Sequence, residues 1–272
     1  MTHPTFLFGT AWKEDETQDC VERALAAGFR GIDTANQRKH YHEAAVGAAL
    51  RKVLGEGRLT RADLFLQTKF TSRGGQDQRL PYDPSARVGE QVRQSMESSL
   101  EHLGTPQLDS YVLHGPTLSR GLADEDWEAW HAMEALHGEG KTRALGVSNV
   151  NLEQLRLLHQ GAKVPPTFVQ NRCYARRGWD REVRAFCREQ GMVYQGFSLL
   201  TANGEIFTHP RFEEIARRLT CTPAQLVFRF ALGVGMLPLT GTTDTVHMRE
   251  DLAAPKVELS AADSRTVEEI AG

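Results

Sequence analysis

The sequence contains neither a long apolar run nor a strong excess of charge of one sign. No stretch approaches the roughly 20 apolar residues of a membrane-spanning helix. The formal net charge is −3 and the pI about 6.4, which gives no sign of a nucleic-acid partner. The first residues, MTHPTFLFGT, lack the basic region and apolar core of a secretory signal. We therefore expect a cytoplasmic protein with no membrane or nucleic-acid partner.

Two motifs that would point to other chemistry are also missing. The chain has four cysteines, Cys20, Cys173, Cys187 and Cys221, and none of them forms a CxxC pair. A chain of 272 residues with so few cysteines has no disulfide framework, and we expect reduced thiols. The turn after the first apolar stretch reads GTAWKEDET, so the GxGxxG turn of an open dinucleotide-binding sheet is missing.

What the chain does have is an alternation of short apolar stretches and helical stretches. The strand candidates are residues 6–11, 30–35, 64–70, 108–115, 143–149, 167–174, 192–200 and 236–241. Each is followed by a segment with apolar residues at helical spacing. Eight such units without a break in composition predict an α/β protein, a closed (β/α)8 TIM barrel, formed by residues 1–272 as a single domain. A doubly wound open sheet is the alternative architecture, and it would be expected to show the missing glycine-rich turn.

Polar and titratable residues stand at the carboxyl ends of several predicted strands, where barrel enzymes place their active sites. Asp33, Lys69 and His114 end the second, third and fourth strands. Taken singly, such an Asp is usually a turn residue, such a Lys reaches solvent, and such a His is a satisfied core residue. Their joint occurrence on neighbouring strands is more informative. Strand alternation also lets Lys69 and His114 both point inward.

The order and spacing of several motifs resemble the aldo-keto reductase family. The matching stretches are FGTAW (8–12), GIDTA (31–35), VG (46–47), TKF (68–70), LDSYVLHGP (108–116), GKTRALGVSN (140–149), GFSLL (196–200), TPAQLVFR (222–229) and LPLTGTTDTVHMREDL (237–252). The resemblance implies a barrel that binds a nicotinamide cofactor without a Rossmann fold. It also implies reduction of an aldehyde or ketone to an alcohol, with hydride from the nicotinamide C4 and a proton from a tyrosine.

The family resemblance assigns the catalytic Asp, Lys and His to Asp33, Lys69 and His114. A free tyrosine has a pKa of about 10, and a nearby ammonium favours its ionised form, which explains why the family places a Lys beside its Tyr. An Asp keeps that Lys charged, and a His orients the substrate carbonyl through a hydrogen bond.

The position of the catalytic tyrosine departs from the family spacing. Counting five residues from the Asp reaches Arg38, and counting three back from Glu43 reaches His40. The loop is thus two residues longer than usual, and Tyr41 is the tyrosine within it. We therefore predict Tyr41 as the proton donor.

The resemblance also implies a set of cofactor contacts. Ser148, Asn149 and Gln170 would bind the nicotinamide carboxamide, whose donors and acceptors suit such side chains. Phe197 would stack on the ring. The remaining predicted contacts, for the pyrophosphate and the adenosine end, are Thr10, Ser198, Leu200, Thr240, Thr242, Arg249 and Asp251. NADPH is the expected cofactor, with NADH as the alternative because Leu239 replaces the Lys of the family's Pro-Lys-Ser motif.

Further expectations concern the substrate and the chain ends. Trp12 lies one residue from a family substrate-pocket Trp, and the irregular segment 71–86 and the 117–124 loop would form the other pocket walls. The substrate is expected to be a small carbonyl compound. The N-terminal β-hairpin is expected to be short or absent and the long C-terminal loop missing, which predicts an open site. We expect a monomer or weak dimer.

Two other interpretations stay open at this point. His40-Tyr41-His42 is an HxH pattern of the kind that ligates metal in some barrel hydrolases, but matching ligands at later strand ends are missing, and we expect no metal. A nonenzymatic barrel that binds a nicotinamide cofactor would keep Ser148, Asn149 and Gln170 and not use the catalytic residues.

Overall fold

Eight strands and ten α-helices form the protein in the computed structural model, which describes residues 3–271. The strands are β1 Leu7–Gly9, β2 Gly31–Asp33, β3 Phe65–Phe70, β4 Ser110–Leu113, β5 Leu145–Ser148, β6 Phe168–Arg172, β7 Val193–Phe197 and β8 Leu237–Thr240. The helices are α1 Thr17–Ala27, α2 Glu43–Gly55, α3 Val88–Leu103, α4 Asp124–Gly138, α5 Leu152–Gly161, α6 Arg181–Glu189, α7 Pro210–Arg218, α8 Pro223–Gly233, α9 Thr245–Ala253 and α10 Ala261–Glu269.

The strands pair in parallel and in sequence order, and β8 pairs with β1, so the sheet closes. The predicted (β/α)8 barrel is therefore confirmed, and the predicted strands differ from the observed ones only by being a few residues longer. No strand lies between residue 3 and β1. None of the helices within residues 3–271 combines the length and apolar composition needed to cross a bilayer.

The helices cover the outside of the barrel and bury their apolar faces on it. Start signals in the sequence determine several helix ends: Asn151 caps α5 by accepting a hydrogen bond from the backbone N–H of Gln154, and Thr222 caps α8 through Gln225. Gly47 lies where α2 crosses α3, and a Cβ there would collide with the carbonyl oxygen of His102. The glycine of the VG motif thus permits close helix packing.

Inside the barrel the side chains form layers, as strand alternation requires. The lowest layer is apolar and consists of Leu7, Phe65, Ala144, Phe168 and Leu237. Two residues further along β3, β6 and β7, the inward side chains are Gln67, Gln170 and Gln195, which lie opposite one another. A polar layer therefore replaces the apolar core just below the carboxyl ends of the strands.

Candidate active site at the mouth of the barrel

A buried ion pair between Asp33 and Lys69 lies at the centre of the barrel mouth. The Lys69 ammonium donates to Asp33 Oδ2 at 2.6 Å, and the side chains are only 1% and 3% exposed. Lys69 also donates to the carbonyl oxygen of Thr34 at 2.8 Å. Burial lowers the pKa of Lys69, but the neighbouring groups, Asp33 above all, together raise it above the ordinary value. The ammonium is therefore charged despite its burial.

The glutamine layer holds the other carboxylate oxygen of Asp33. Gln67 and Gln170 both donate to Asp33 Oδ1, at 2.7 and 3.0 Å. The same two amide groups donate to Gln195 Oε1, and Gln195 donates back to Gln67. Because a carboxylate can only accept hydrogen bonds, both amides must point their NH2 groups at Asp33. Every oxygen of Asp33 thus has a donor, which satisfies a buried charge.

The loop between β2 and α2 brings Tyr41 over this ion pair. The Lys69 ammonium lies 5.2 Å from the centre of the Tyr41 ring, and the His114 ring meets the same tyrosine edge-on at 6.0 Å between centres. The longer loop folds into a turn in which the Tyr41 N–H donates to the carbonyl of Gln37. The Gln37 side chain in turn donates to the carbonyl of Gly75 at 2.5 Å. The four residues predicted as catalytic, Asp33, Tyr41, Lys69 and His114, are thereby brought together.

Burial controls the protonation of Tyr41. It raises the pKa of the Tyr41 hydroxyl above its ordinary value, and the Lys69 ammonium opposes this shift without reversing it. The direction is opposite to the one expected from the sequence, where the ammonium was expected to lower the pKa. The reason is that desolvation of the half-buried tyrosine outweighs the effect of the ammonium beside it. Tyr41 is consequently a protonated donor at neutral pH.

His114 is held neutral and is oriented by Thr71. Burial beside the Lys69 ammonium lowers the pKa of His114 to about 3. Its Nδ1 atom lies 2.6 Å from the hydroxyl of Thr71, which has no other partner within residues 3–271. With no other acceptor for its hydrogen, the Thr71 hydroxyl donates a hydrogen bond to Nδ1, which assigns the ring proton of the neutral imidazole to Nε2. The Tyr82 hydroxyl fixes Thr71 by donating to its carbonyl at 2.8 Å.

The predicted carboxamide contacts present a matching set of hydrogen-bonding atoms. Asn149 donates through its NH2 group to the carbonyl of His114 and to the Ser148 hydroxyl, at 2.8 and 3.1 Å. Gln170 donates through its NH2 group to Asp33 and Gln195. That leaves two amide oxygens as acceptors and the Ser148 hydroxyl as a donor. A carboxamide offers an NH2 group and a carbonyl oxygen, so these atoms fit it. Asn149 also has a left-handed backbone with φ of 56°, a strained conformation often found at binding sites.

The remaining predicted cofactor residues occupy three places. Phe197 ends β7 and is half-buried, and Ser198 and Leu200 follow it, Ser198 with φ of 55°. The buried hydroxyl of Thr10 donates to the backbone carbonyl of Asp33, which supports the strand end. At the end of β8, the Thr240 hydroxyl donates to the Asp251 carboxylate at 2.9 Å. Thr242 is half-buried on the loop between β8 and α9, and Arg249 is exposed on α9. Burial raises the pKa of Asp251 to about 6.

Trp12 lies at the rim, 70% exposed and with φ of 61°. The Trp12 ring packs on the His40 ring at 3.9 Å between centres, and the backbone N–H of Trp12 donates to the His40 carbonyl at 2.8 Å. Trp12 and His40 together form a wall beside Tyr41. His40 is therefore packed on an aromatic ring. Within the described part of the chain, no group of three His, Cys, Asp or Glu side chains is placed to hold a metal ion.

Several site residues were not predicted from the sequence as such. Thr71 contacts His114, Gln67 holds Asp33, and Gln195 holds Gln67. The only signal for them is their position within three residues of the carboxyl end of a strand. Lys13 is buried beside Phe8 and donates to the carbonyl of Gly241 at 2.5 Å, next to the β8 end. Burial lowers the pKa of Lys13. No pattern in the sequence distinguishes it from a surface lysine.

A closed parallel barrel with a buried charge pair and an adjacent Tyr and His at its carboxyl mouth has the arrangement of a barrel enzyme. The family model described as "Aldo/keto reductase family" matches residues 5–271. The chain belongs to this family of oxidoreductases.

Individual relatives agree with the family assignment. The chain is 29% identical over 267 residues to a Bacillus subtilis protein named "Uncharacterized oxidoreductase YtbE", covering 97% of this chain and 88% of that protein. It is 28% identical to a glyoxal reductase of the same organism over 249 residues, covering 92% and 81%. A solved aldo/keto reductase from Brucella melitensis superposes with a TM-score of 0.82 at 26% identity, covering 98% and 95% of the two chains. These relatives support carbonyl reduction as the class of reaction.

Proposed function

We propose that this protein is an NADPH-dependent reductase of small aldehydes or ketones, with Tyr41 as its proton donor. The observation that carries the proposal is the charged, buried Lys69 beneath a protonated Tyr41, with a neutral His114 at the edge of the same ring. A metal-dependent hydrolysis has no comparable support in the described residues. The relatives named for glyoxal reduction support a small carbonyl substrate.

The chemistry follows from these protonation states. When bound, the nicotinamide supplies a hydride to the carbonyl carbon. As negative charge develops on the carbonyl oxygen, the Tyr41 hydroxyl transfers its proton to that oxygen, and the Lys69 ammonium stabilises the phenolate left behind. Asp33 keeps Lys69 charged and in place. The Nε2–H group of His114 donates a hydrogen bond to the same oxygen and orients the substrate.

The choice of NADPH rests on the positive side chains near the β8 end. Arg249 is exposed there. Arg23 reaches from α1 to donate to the carbonyl of Thr243 at 2.7 Å and also pairs with Asp19 at 2.8 Å. A 2′-phosphate is best bound by such guanidinium donors. Thr242 offers a hydroxyl on the same loop, whereas the hydroxyl of Thr240 is already used on Asp251.

Cofactor titration tests this proposal directly. We expect NADPH to quench the tryptophan fluorescence with a dissociation constant at least tenfold lower than that of NADH. With the tighter cofactor, absorbance at the nicotinamide band should then show reduction of a panel of small aldehydes. Failure of both cofactors to bind would refute the proposal, and binding without any turnover would favour the nonenzymatic interpretation.

Replacing Thr71 by valine is expected to lower kcat about tenfold, since this loss corresponds to roughly 1.4 kcal/mol, the scale of one net hydrogen bond. Valine keeps the shape of the side chain and removes the hydroxyl that selects the Nε2–H form of His114. Steady-state kinetics on the best aldehyde measures the effect, and Thr71→Ser, which restores the hydroxyl, is the control. Equal activity of the valine and serine variants would contradict this role for Thr71.

A further inference from the structure

Arg172 stands at the barrel mouth in a position that no catalytic role explains. It is the last residue of β6 and follows Phe168 and Gln170 on the inward face of the strand. Because two residues advance about 6.6 Å along a strand, Arg172 lies one layer above Gln170. It pairs in register with Phe197, and its guanidinium lies 5.7 Å from the centre of the Phe197 ring. An exposed cation therefore stands beside the predicted nicotinamide contacts.

Arg172 lines a polar cleft of about 560 Å³ between the 117–121 loop and the segment that follows β6. Asn149 and Phe197 line it from the predicted nicotinamide site, and Tyr174 and Arg177 line it from the segment after β6. The loop wall is held by Gln154, which donates to the carbonyls of Leu118 and Gly121 at 2.9 Å each. The cleft is thus a defined space that adjoins the catalytic centre.

The lining of this cleft carries a net positive charge, with two arginines against one carboxylate. Within residues 3–271 neither Arg172 nor Arg177 forms an ion pair or a side-chain hydrogen bond. The carboxylate in the lining is Asp180, whose Oδ2 atom already accepts from Asn171 and from the Tyr194 hydroxyl, each at 2.9 Å.

Both guanidinium groups pack on aromatic rings, Arg172 on Phe197 and Arg177 on Tyr174 at 5.1 Å. Such packing restricts the side chain and leaves its N–H groups directed to the edges. These edges are the donors that bind carboxylate or phosphate oxygens in pairs. The two arginines are therefore suited to an anionic group.

We propose that the cleft between Arg172 and Arg177 binds an anionic group, and that the carbonyl substrate carries it as a carboxylate. This inference rests on the proposed function and names its substrate class, the oxo acids. The cofactor phosphates are the other source of such an anion. The residues predicted to meet them, Ser198, Leu200 and the β8 loop, do not line the cleft, whereas Asn149 and Phe197 do. The substrate is the source that this placement favours.

Paired substrates test the proposal. 4-Carboxybenzaldehyde and its methyl ester have the same reacting aldehyde and differ in one charge. In the wild-type protein we expect a higher kcat/KM for the carboxylate. Arg172→Met should reduce the ratio of the two kcat/KM values by ten- to a hundredfold, mainly through KM, as loss of charge-assisted hydrogen bonds does. Arg177→Met should act in the same direction.

Arg176→Met is the matched control. Arg176 packs on the same Tyr174 ring at 5.1 Å but does not line the cleft, and its loss removes the same charge. The ratio of kcat/KM for 4-carboxybenzaldehyde to kcat/KM for its methyl ester should not change in Arg176→Met. An equal fall in Arg176→Met and Arg172→Met would show a general charge effect and overturn the site.

Binding measurements distinguish the substrate carboxylate from the cofactor phosphates as the source of the anion. They also distinguish failure of the anion site from failure of the proposed reductase activity. Weaker NADPH binding by Arg172→Met, with both aldehydes affected alike, would assign the anion to the cofactor and refute the substrate class. Calorimetric titration with terephthalate needs no turnover. Binding that weakens at least tenfold in Arg172→Met supports the anion site even if no aldehyde is reduced. Unchanged terephthalate binding in that variant overturns the site while leaving the proposed reductase activity intact.

Discussion

Replacing Tyr41 by phenylalanine is expected to lower kcat by about a thousandfold, within the range that a positioned general acid contributes. The substitution removes the hydroxyl and leaves the ring that contacts Lys69 and His114. Within residues 3–271 the Tyr41 hydroxyl forms no hydrogen bond with Ser148, Asn149 or Gln170, so the dissociation constant of NADPH should change by less than threefold. Single-turnover absorbance measurements with saturating cofactor isolate the chemical step from product release.

Tyr111→Phe is the matched control for the Tyr41 experiment. Tyr111 is fully buried, and its hydroxyl donates to the carbonyl of Val92 on the helical side of the sheet, away from the mouth. This variant also loses a phenolic hydroxyl, yet its turnover should stay close to that of the wild-type protein. Full activity of Tyr41→Phe would refute the assignment.

Replacing Lys69 by methionine is expected to abolish measurable turnover and to lower the free energy of unfolding by roughly 3–5 kcal/mol. Methionine matches the length of the lysine stem but leaves the Asp33 carboxylate buried with only Gln67 and Gln170 as side-chain donors. Without the ammonium, nothing stabilises the phenolate that forms at Tyr41. Urea denaturation followed by circular dichroism measures the stability, and the aldehyde assay measures turnover.

The double variant Asp33→Asn/Lys69→Met separates the two effects. It removes both charges of the buried pair, so most of the lost stability should return, because an unpaired buried charge no longer remains. Turnover should stay absent, since the catalytic ammonium is still missing. Recovery of activity together with stability would show that Lys69 has only a structural role and would refute its catalytic assignment.

The predicted catalytic residues depended on one property of parallel barrels. Strand alternation and the convergence of strand ends are geometric, so Asp33, Lys69 and His114 were predictable as neighbours before any contact was known. The resemblance to the aldo-keto reductases implied a catalytic tyrosine on this loop, and Tyr41 is the tyrosine that the loop contains. How a longer loop reaches Lys69 was not, because the answer lies in hydrogen bonds to a distant segment, Gln37 to Gly75 and Gln76 to the Asn36 carbonyl.

The protonation states of Tyr41 and His114 could not be predicted from the sequence for a related reason. The family resemblance implies that a cation stands near Tyr41, and that alone predicts a lowered pKa of the tyrosine. The opposite direction results from burial of the ring, which depends on how the β2–α2 loop, β3 and β4 pack around it. Similarly, the neutral state of His114 and its hydrogen bond to Thr71 need the relative placement of β4 and the segment after β3.

The sequence by itself determined the barrel, since eight apolar strand stretches alternating with amphipathic helices can bury their faces together in very few ways. It also determined which polar side chains stand at the strand ends. Only the tertiary structure decided the buried glutamine layer that holds Asp33, and the cleft in which Arg172 and Arg177 face an open space. Both arise from side chains far apart in sequence, whose charges and hydrogen bonds become meaningful only when the barrel closes.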